Sequence, residues 1–196
     1  MKNKYNEIIS SLSDKELLYH LYLTQAIILV ISLFLGWILF DEFSFFDHFR
    51  LNDPNILKVG FTAGIGVVIF DIVMMKWLPR HFYNDGGLNE RIFKKRNTFH
   101  IIFIAAVVAF SEELLFRGII QTSAGLMLAS IIFAIIHYRY LFNLYLFVNI
   151  VLLSFLIGLI YEWTGNFAVT IMMHFVIDFC LGIYIKYTRS PKMEDE

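Results

Sequence analysis

Long apolar runs alternate with short polar segments along most of the chain. The run from Leu21 to Phe40 is the clearest, because it contains no charged residue. About 20 apolar residues in a helix, rising 1.5 Å each, span the ~30 Å hydrocarbon core of a bilayer. The pattern therefore predicts an all-α, polytopic transmembrane helix bundle of about six spans. The predicted spans cover residues 21–40, 56–78, 98–121, 124–138, 143–161 and 167–185.

Local motifs add detail to these spans. Ser13-Asp14-Lys15-Glu16 has the form of a capping box, which predicts that the first helix begins there. A polar break is expected at Thr122-Ser123, between the third and fourth spans. Gly60 and Gly64 share one face of the second span and would let a neighbouring helix approach closely. Chance spacing in an apolar helix explains the two glycines equally well.

Lysine and arginine are unevenly distributed among the polar segments. With the N-terminus in the cytoplasm, thirteen of the 16 lie in cytoplasmic segments, two (Arg50 and Lys58) lie outside, and Arg117 lies within a span. Short cytoplasmic loops of membrane proteins carry such an excess, and an odd number of spans would destroy it here. Both termini are therefore predicted to be cytoplasmic, and Lys94-Lys95-Arg96 is expected to fix the orientation beside anionic lipid.

Composition agrees with a membrane protein. Hydrophobic residues make up 58% of the 196 residues, charged residues only 17%, and the mean hydropathy is +0.66. Soluble domains have roughly 45–50% apolar and about 25% charged residues. A soluble domain, a disordered chain and a nucleic-acid-binding protein are thus disfavoured, since the net charge of −1 offers no basic excess. The single cysteine, Cys180, excludes an intrachain disulfide and a cysteine-based zinc site.

The same pattern divides the chain into four parts. A cytoplasmic amphipathic segment is followed by two spans with a basic cytoplasmic loop, then by a helical core that holds most of the ionisable residues, and last by a cytoplasmic tail. These parts cover residues 1–19, 20–97, 98–186 and 187–196.

Of the ionisable residues within the predicted spans, where a charge costs ~2.5–3.5 kcal/mol at the bilayer centre, seven are candidates for a functional site. They are Asp71, Glu112, Glu113, Arg117, His137, His174 and Asp178. Carboxylates and imidazoles together are typical of a hydrolytic or metal site. Glu113 and Arg117 are four residues apart, so they can neutralise each other and leave Glu112 without that partner. Helix rise places Glu112, His137, His174 and Asp178 near mid-membrane, where they would converge if their spans pack together.

Three motifs among these residues resemble a known family. Ser111-Glu112-Glu113-Leu-Leu-Phe-Arg117-Gly118 resembles the EExxxR motif of the CAAX-protease and bacteriocin-processing (CPBP, or Abi) family of intramembrane proteases. Phe133-Ala-Ile-Ile-His137 is similar to its FxxxH motif, and His174-Phe-Val-Ile-Asp178 to its HxxxN/D motif. The resemblance covers about residues 98–182, and no H-E-x-x-H zincin motif is present.

The resemblance implies peptide-bond hydrolysis within the membrane by a CAAX-protease-like metalloendopeptidase. It implies that Glu112 activates water, that His137 and His174 position this water or a metal, and that Glu113 and Arg117 brace the site beside Phe133. Asp178 stands where eukaryotic prenyl-protein proteases have Asn. It would stabilise the oxyanion in protonated form, bind a cation, or orient His174 from one turn away. Zinc or another divalent metal would accept His137 and His174 together with Glu112 or Asp178.

Two other functions remain open from the sequence. A non-proteolytic membrane scaffold or bacteriocin-immunity protein of the same fold would need no general base. A small transporter would use the buried carboxylates as a relay, although no internal repeat is visible. The favoured partners are the lipid bilayer and a membrane-associated peptide or protein substrate, in a multi-pass protein of a bacterial cell membrane. No motif contains Asp71, and the sequence assigns it no role.

Overall fold

The computed structural model describes residues 11–137, 140 and 143–188. Within these residues the chain forms helices and no strand, and five helices are long and apolar enough to cross a membrane. These are α1 (Asp14–Leu39), α2 (Ile56–Trp77), α5 (Thr98–Ile136), α6 (Leu144–Thr164) and α7 (Phe167–Tyr187). A 3-10 helix (Asp41–His48) and two short helices, α3 (Arg80–Tyr83) and α4 (Leu88–Phe93), lie in the connections. The prediction of an all-α membrane bundle is confirmed.

Helix α5 contains the third and fourth predicted spans. Its 39 residues would extend about 58 Å if straight, almost twice the hydrocarbon thickness. The helix is interrupted at Gly125, whose φ of 83° is a conformation that glycine adopts readily. The predicted break at Thr122-Ser123 is wrong by two residues. Both hydroxyls donate back to carbonyls of the preceding turn, so the helix continues through them.

Two ends of the bundle can be distinguished by their contacts. At one end Arg91 pairs with Asp14 at 3.0 Å, and the Asn143 side-chain amide donates to the His81 carbonyl. At the other end Thr122 and Tyr161 share a hydrogen bond of 2.5 Å. The chain therefore reverses direction at Gly125, and the second half of α5 runs back toward the first end as far as His137, beside Glu112. This arrangement agrees with about six passes. The start of α1 and the end of α7 lie at the first end.

The first end is also the basic one, and it is called the basic end below. It contains most of the described lysines and arginines that lie outside the spans, as the charge distribution predicts. The assignment of this end to the cytoplasm remains a prediction. Residues 1–10 and 189–196, which belong to the predicted N-terminal segment and tail, lie outside the described residues, as does Tyr138 at the predicted end of the fourth span.

The capping box and the close helix contact are both present. The Ser13 hydroxyl accepts from the Glu16 amide, and the Glu16 carboxylate accepts from the Ser13 amide. A Cβ at Gly60 would lie 2.4 Å from the Val169 carbonyl oxygen, which is closer than such atoms can approach. Helix α2 therefore packs directly on α7, the helix that also contacts α5 and α6.

At the other end, the loop before α2 is held by Asp53. This carboxylate accepts from the Asn55 backbone amide at 2.9 Å and from the Asn166 side chain at 3.1 Å. The two donors, the Asn55 amide first, hold the pKa of the Asp53 carboxyl below its usual value. The Arg50 amide in turn donates to Asn166 at 3.0 Å, so the α1–α2 connection is joined to the start of α7.

Candidate active site

Two adjacent glutamates lie where helix α5 changes its geometry. Glu112 is 8% exposed and Glu113 is fully buried. Directly after them the backbone becomes π-helical over Leu114–Gln121. π-helical turns are rare and frequently occur at functional sites, because the extra residue per turn changes where the side chains point.

Glu113 is the centre of a buried ionic network. Its carboxylate lies 3.4 Å from Arg117 Nε and 2.9 Å from His174 Nδ1. Arg117, also fully buried, donates through Nη2 to the carbonyl of Ser154 on α6 at 3.1 Å. Glu113 and Arg117 form the pair that the sequence predicts, and Glu113 also joins α5 to α7. The network therefore fixes the position of His174 in the site.

His174 lies between two carboxylates. Glu113 is at hydrogen-bond distance from Nδ1, whereas Asp178 Oδ2 lies 3.6 Å from Nε2. A carboxylate can only accept, so Nδ1 carries a hydrogen and Nε2 is the atom that faces the remaining space. One role predicted for Asp178 was to orient His174. In the structure, Glu113 is the carboxylate at hydrogen-bond distance from the His174 ring.

Glu112 points away from this network, toward His137. Its Oε2 lies 3.9 Å from His137 Nε2, and its Oε1 lies 3.5 Å from the amide nitrogen of Gln25 on α1. The Ser111 hydroxyl donates to Gln25 Oε1 at 2.5 Å. Gln25 and Ser111 therefore hold one carboxylate oxygen of Glu112 and leave the other directed at His137.

His137 is positioned by its own helical turn. Its Nδ1 lies 2.8 Å from the Phe133 carbonyl oxygen, and its ring stacks on the Phe133 ring with a centroid distance of 4.4 Å. The Phe133 ring packs edge-on against Phe116 and lies 5.6 Å from the Arg117 guanidinium carbon. Phe133 thus lies between the Arg117 network and His137 and contacts both.

One cavity of about 1020 Å³ connects the predicted catalytic residues. Glu112, His137, His174 and Asp178 all line it, whereas Glu113 and Arg117 lie behind its wall. The cavity extends to residues at the basic end of the bundle, and its remaining lining is mainly apolar. The structure therefore brings together side chains from both halves of α5 and from α7 around a single space.

A bound metal ion requires several donor side chains close together. Among the described residues, no three His, Cys, Asp or Glu side chains lie close enough together to hold one. The observed arrangement consists of two pairs, Glu112 with His137 and His174 with Asp178. The predicted zinc or other divalent metal at these residues remains a prediction, and no step of the reaction below depends on it.

The sequence motifs predicted no role for three residues that contact the site. Gln25 contacts Glu112, Ser111 contacts Gln25, and Ser154 accepts from Arg117. Gln25 is an amide within an otherwise apolar span, a feature that could have identified it. Ser154 has no such distinction, because a serine in a transmembrane helix commonly bonds to its own backbone.

Comparisons with known proteins identify the family of the chain. The family model "Type II CAAX prenyl endopeptidase Rce1-like" matches residues 94–180, a range that includes both halves of α5 and the histidine of α7. A protein of Bacillus subtilis (strain 168), described as "Uncharacterized protein YpbD", is 40% identical over 176 residues, which cover 88% of this chain and 93% of YpbD. The chain belongs to the Rce1-like family. No solved structure matches it.

Membership of the Rce1-like family supports a CAAX-protease-type membrane endopeptidase at the level of the family. The five long apolar helices and this family match support a multi-pass membrane protein. All seven predicted site residues from Glu112 to Asp178 lie within the matched range.

Proposed function

We propose that this Rce1-like protein hydrolyses a peptide bond of a membrane-associated peptide or protein inside the bilayer, with Glu112 as the general base. The single observation that supports this most strongly is the shared cavity, lined by Glu112, His137, His174 and Asp178. Such a cavity admits water and an extended peptide to a depth where ionisable groups are otherwise expensive.

The hydrogen bond of His137 determines which of its atoms can contact water. A carbonyl oxygen only accepts, so the contact at 2.8 Å requires a hydrogen on Nδ1. The neutral ring then has a lone pair on Nε2, directed at Glu112 Oε2 3.9 Å away. This distance is too long for a direct hydrogen bond and suits one water molecule in contact with both atoms.

In the proposed reaction Glu112 takes a proton from this water, and the oxygen forms a bond to the carbonyl carbon of the substrate. The C=O π electrons move to the carbonyl oxygen, which becomes an oxyanion. In its protonated form, His174 keeps Nδ1–H on Glu113 and presents Nε2–H to the oxyanion. The C–N bond then breaks, and Glu112 returns its proton to the leaving nitrogen. Water and one amide thus give one carboxylic acid and one amine.

Asp178 lies beside His174 Nε2 and lines the same cavity. We assign it to the oxyanion side of the site, where its protonated carboxyl donates a second hydrogen bond. The predicted alternative is a metal ion held by His137, His174 and one carboxylate. Elemental analysis of the purified protein distinguishes the two, since a resident metal gives about one equivalent per chain in wild type and far less in His174→Ala.

The test of the proposal compares wild type, Glu112→Gln and Glu162→Gln in lipid nanodiscs. Quenched fluorescent peptides with an apolar membrane-spanning half, and farnesylated peptides ending in a CAAX sequence, serve as substrates. We expect Glu112→Gln to lower kcat by about 10²–10⁴-fold, the contribution of a general base. Glu162 is exposed in the last turn of α6, so Glu162→Gln controls for the loss of one negative charge.

Thermal unfolding by circular dichroism shows whether each variant keeps its fold. Equal cleavage by wild type and a folded Glu112→Gln variant would remove Glu112 as the base. If wild type cleaves none of the peptides while protection or partner binding survives Glu112→Gln, the non-proteolytic scaffold or immunity function replaces the endopeptidase.

A further inference from the structure

Asp71 is an ionisable group in the cavity for which the proposed reaction has no use. It lies on α2, is 8% exposed, and lines the same cavity as Glu112 and His174. Its Oδ1 accepts a hydrogen bond of 3.2 Å from the side-chain amide of Asn149 on α6, which lines the cavity too. An ionisable side chain at this depth that faces a cavity is a functional candidate by default.

Two other acidic groups near the cavity are compensated by a lysine or an arginine. Glu113 pairs with Arg117, and Glu90 pairs with Lys94 at 3.1 Å. Among the residues that the structure describes, no lysine or arginine forms an ion pair with Asp71. An amide N–H satisfies one oxygen of a carboxylate and supplies no positive charge, so the site can still bind a cationic donor.

Contacts between the helices place Asp71 on the basic-end side of His174. Gly60 and Gly64 of α2 pack on Val169 and Met173 of α7. Continued at 1.5 Å per residue, this register puts Asp71 level with Cys180, six residues or about 9 Å beyond His174. Asn149 reaches Asp71 from α6, where it lies near the level of Glu112, because Arg117 and Gln121 bond to Ser154 and Gly158 at a constant offset of 37 residues.

We propose that Asp71 and Asn149 form a subsite for a cationic nitrogen of the substrate, either a lysine or arginine side chain or a free amino terminus. Asp71 supplies the carboxylate, and the Asn149 side-chain oxygen supplies a second acceptor once its amide is directed at Asp71. An extended peptide advances about 3.3 Å per residue, so a cation about 9 Å from His174 lies about three residues from the cleaved bond. This inference rests on the proposed endopeptidase function and adds a substrate class to it.

The test uses acetylated and amidated 15-residue apolar peptides that differ at one position, which holds lysine, norleucine or glutamate. The variable position is moved through the peptide, and a parallel set has a free amino terminus. Cleavage is measured with wild type, Asp71→Asn, Asp71→Lys and Asp47→Asn in nanodiscs. Asp47 is exposed at the other end of the molecule, so Asp47→Asn is a charge-matched control.

We expect wild type and Asp47→Asn to cleave the best-placed lysine peptide at least about tenfold faster, in kcat/KM, than its norleucine counterpart. In Asp71→Asn this ratio falls to about one, and Asp71→Lys favours the glutamate peptide. If the free amino terminus is the cation, the preference instead follows acetylation. Equal kcat/KM values for lysine and norleucine peptides at every position overturn the inference.

Binding gives a second measurement that needs no turnover. The affinity of fluorescent lysine and norleucine peptides is measured for Glu112→Gln and for Glu112→Gln/Asp71→Asn, with the same expected ratios. If no peptide is cleaved but lysine is still preferred through Asp71, the subsite stands and the endopeptidase proposal fails. If Asp71→Asn lowers stability and weakens both peptides equally, the pair only joins α2 to α6, and the inference is wrong.

Discussion

Glu113→Gln is the substitution with the most informative consequences. Glu113 neutralises Arg117 at 3.4 Å and holds His174 at 2.9 Å, and both Glu113 and Arg117 are fully buried. The amide has nearly the shape of the carboxylate but no charge. Arg117 then remains buried as an uncompensated cation, because Ser154 offers it only neutral acceptors.

Breaking a buried ion pair in this way costs about 3–5 kcal/mol, which is a large part of a typical total stability of about 5–15 kcal/mol. A second variant, Glu113→Gln/Arg117→Met, removes the stranded charge and replaces it with an apolar side chain. We expect it to recover most of the lost stability, since replacing both partners of a buried pair is often close to neutral. Ser154→Ala removes one neutral acceptor of Arg117 and should cost only about 1 kcal/mol.

Activity should not follow stability in this series. Both Glu113→Gln and the double variant lack the carboxylate that holds Nδ1–H of His174, so each should lose about 10–100-fold in kcat. Unfolding in mixed micelles, followed by tryptophan fluorescence, gives the stability, and peptide cleavage in nanodiscs gives kcat. An unfolding midpoint of Glu113→Gln equal to that of wild type would refute the buried-pair argument. Full activity of the double variant would show that Glu113 acts only through Arg117.

Two further predictions concern the fold. Gly60→Ala places a Cβ 2.4 Å from the Val169 carbonyl oxygen and should destabilise the protein by about 1–3 kcal/mol. Gly66→Ala is the control and should be tolerated, because no atom lies within 4 Å of its added Cβ. Equal unfolding midpoints for the two variants would contradict the close packing of α2 on α7. The lowered pKa of Asp53 means that its contribution to stability is present above the usual aspartate pKa and is lost as pH falls through the folded-state value. Asp53→Asn should therefore unfold at a lower temperature than wild type at neutral pH, and the difference between the two unfolding temperatures should become smaller under strongly acidic conditions. If that difference in unfolding temperature does not change with pH, the charge of Asp53 is unimportant for stability.

The membrane architecture could be predicted from the sequence because transfer into lipid depends mainly on the composition of each segment. Apolar runs such as Leu21 to Phe40 specify where helices cross, and the distribution of lysine and arginine specifies that the number of crossings is even. The capping box at Ser13 is similarly local, since its donors and acceptors lie within four consecutive residues. For the same reason, the pair Glu113–Arg117 is visible as a spacing within one helix.

The candidate site could be described only from the sequence and the tertiary structure together. The sequence identified Glu112, His137, His174 and Asp178 as polar groups in spans, and the tertiary structure placed them around one cavity. The sequence could not choose the partner of His174, because Glu113 and His174 are 61 positions apart and meet only through the packing of α5 on α7. The π-helical turn after Glu113 changes the direction of the following side chains, and ideal α-helical spacing does not anticipate it.

The sequence by itself therefore determined which segments lie in lipid, how many times they cross and which chemical groups they carry into the membrane. These properties depend on composition and on spacing within a few turns. Only the tertiary structure decided that the turn between the third and fourth spans lies at Gly125, that Gln25 faces Glu112, and that Asp71 meets Asn149 within the cavity. Such contacts depend on the rotation and crossing of helices that are distant in the chain, and local hydrophobicity does not specify either of them.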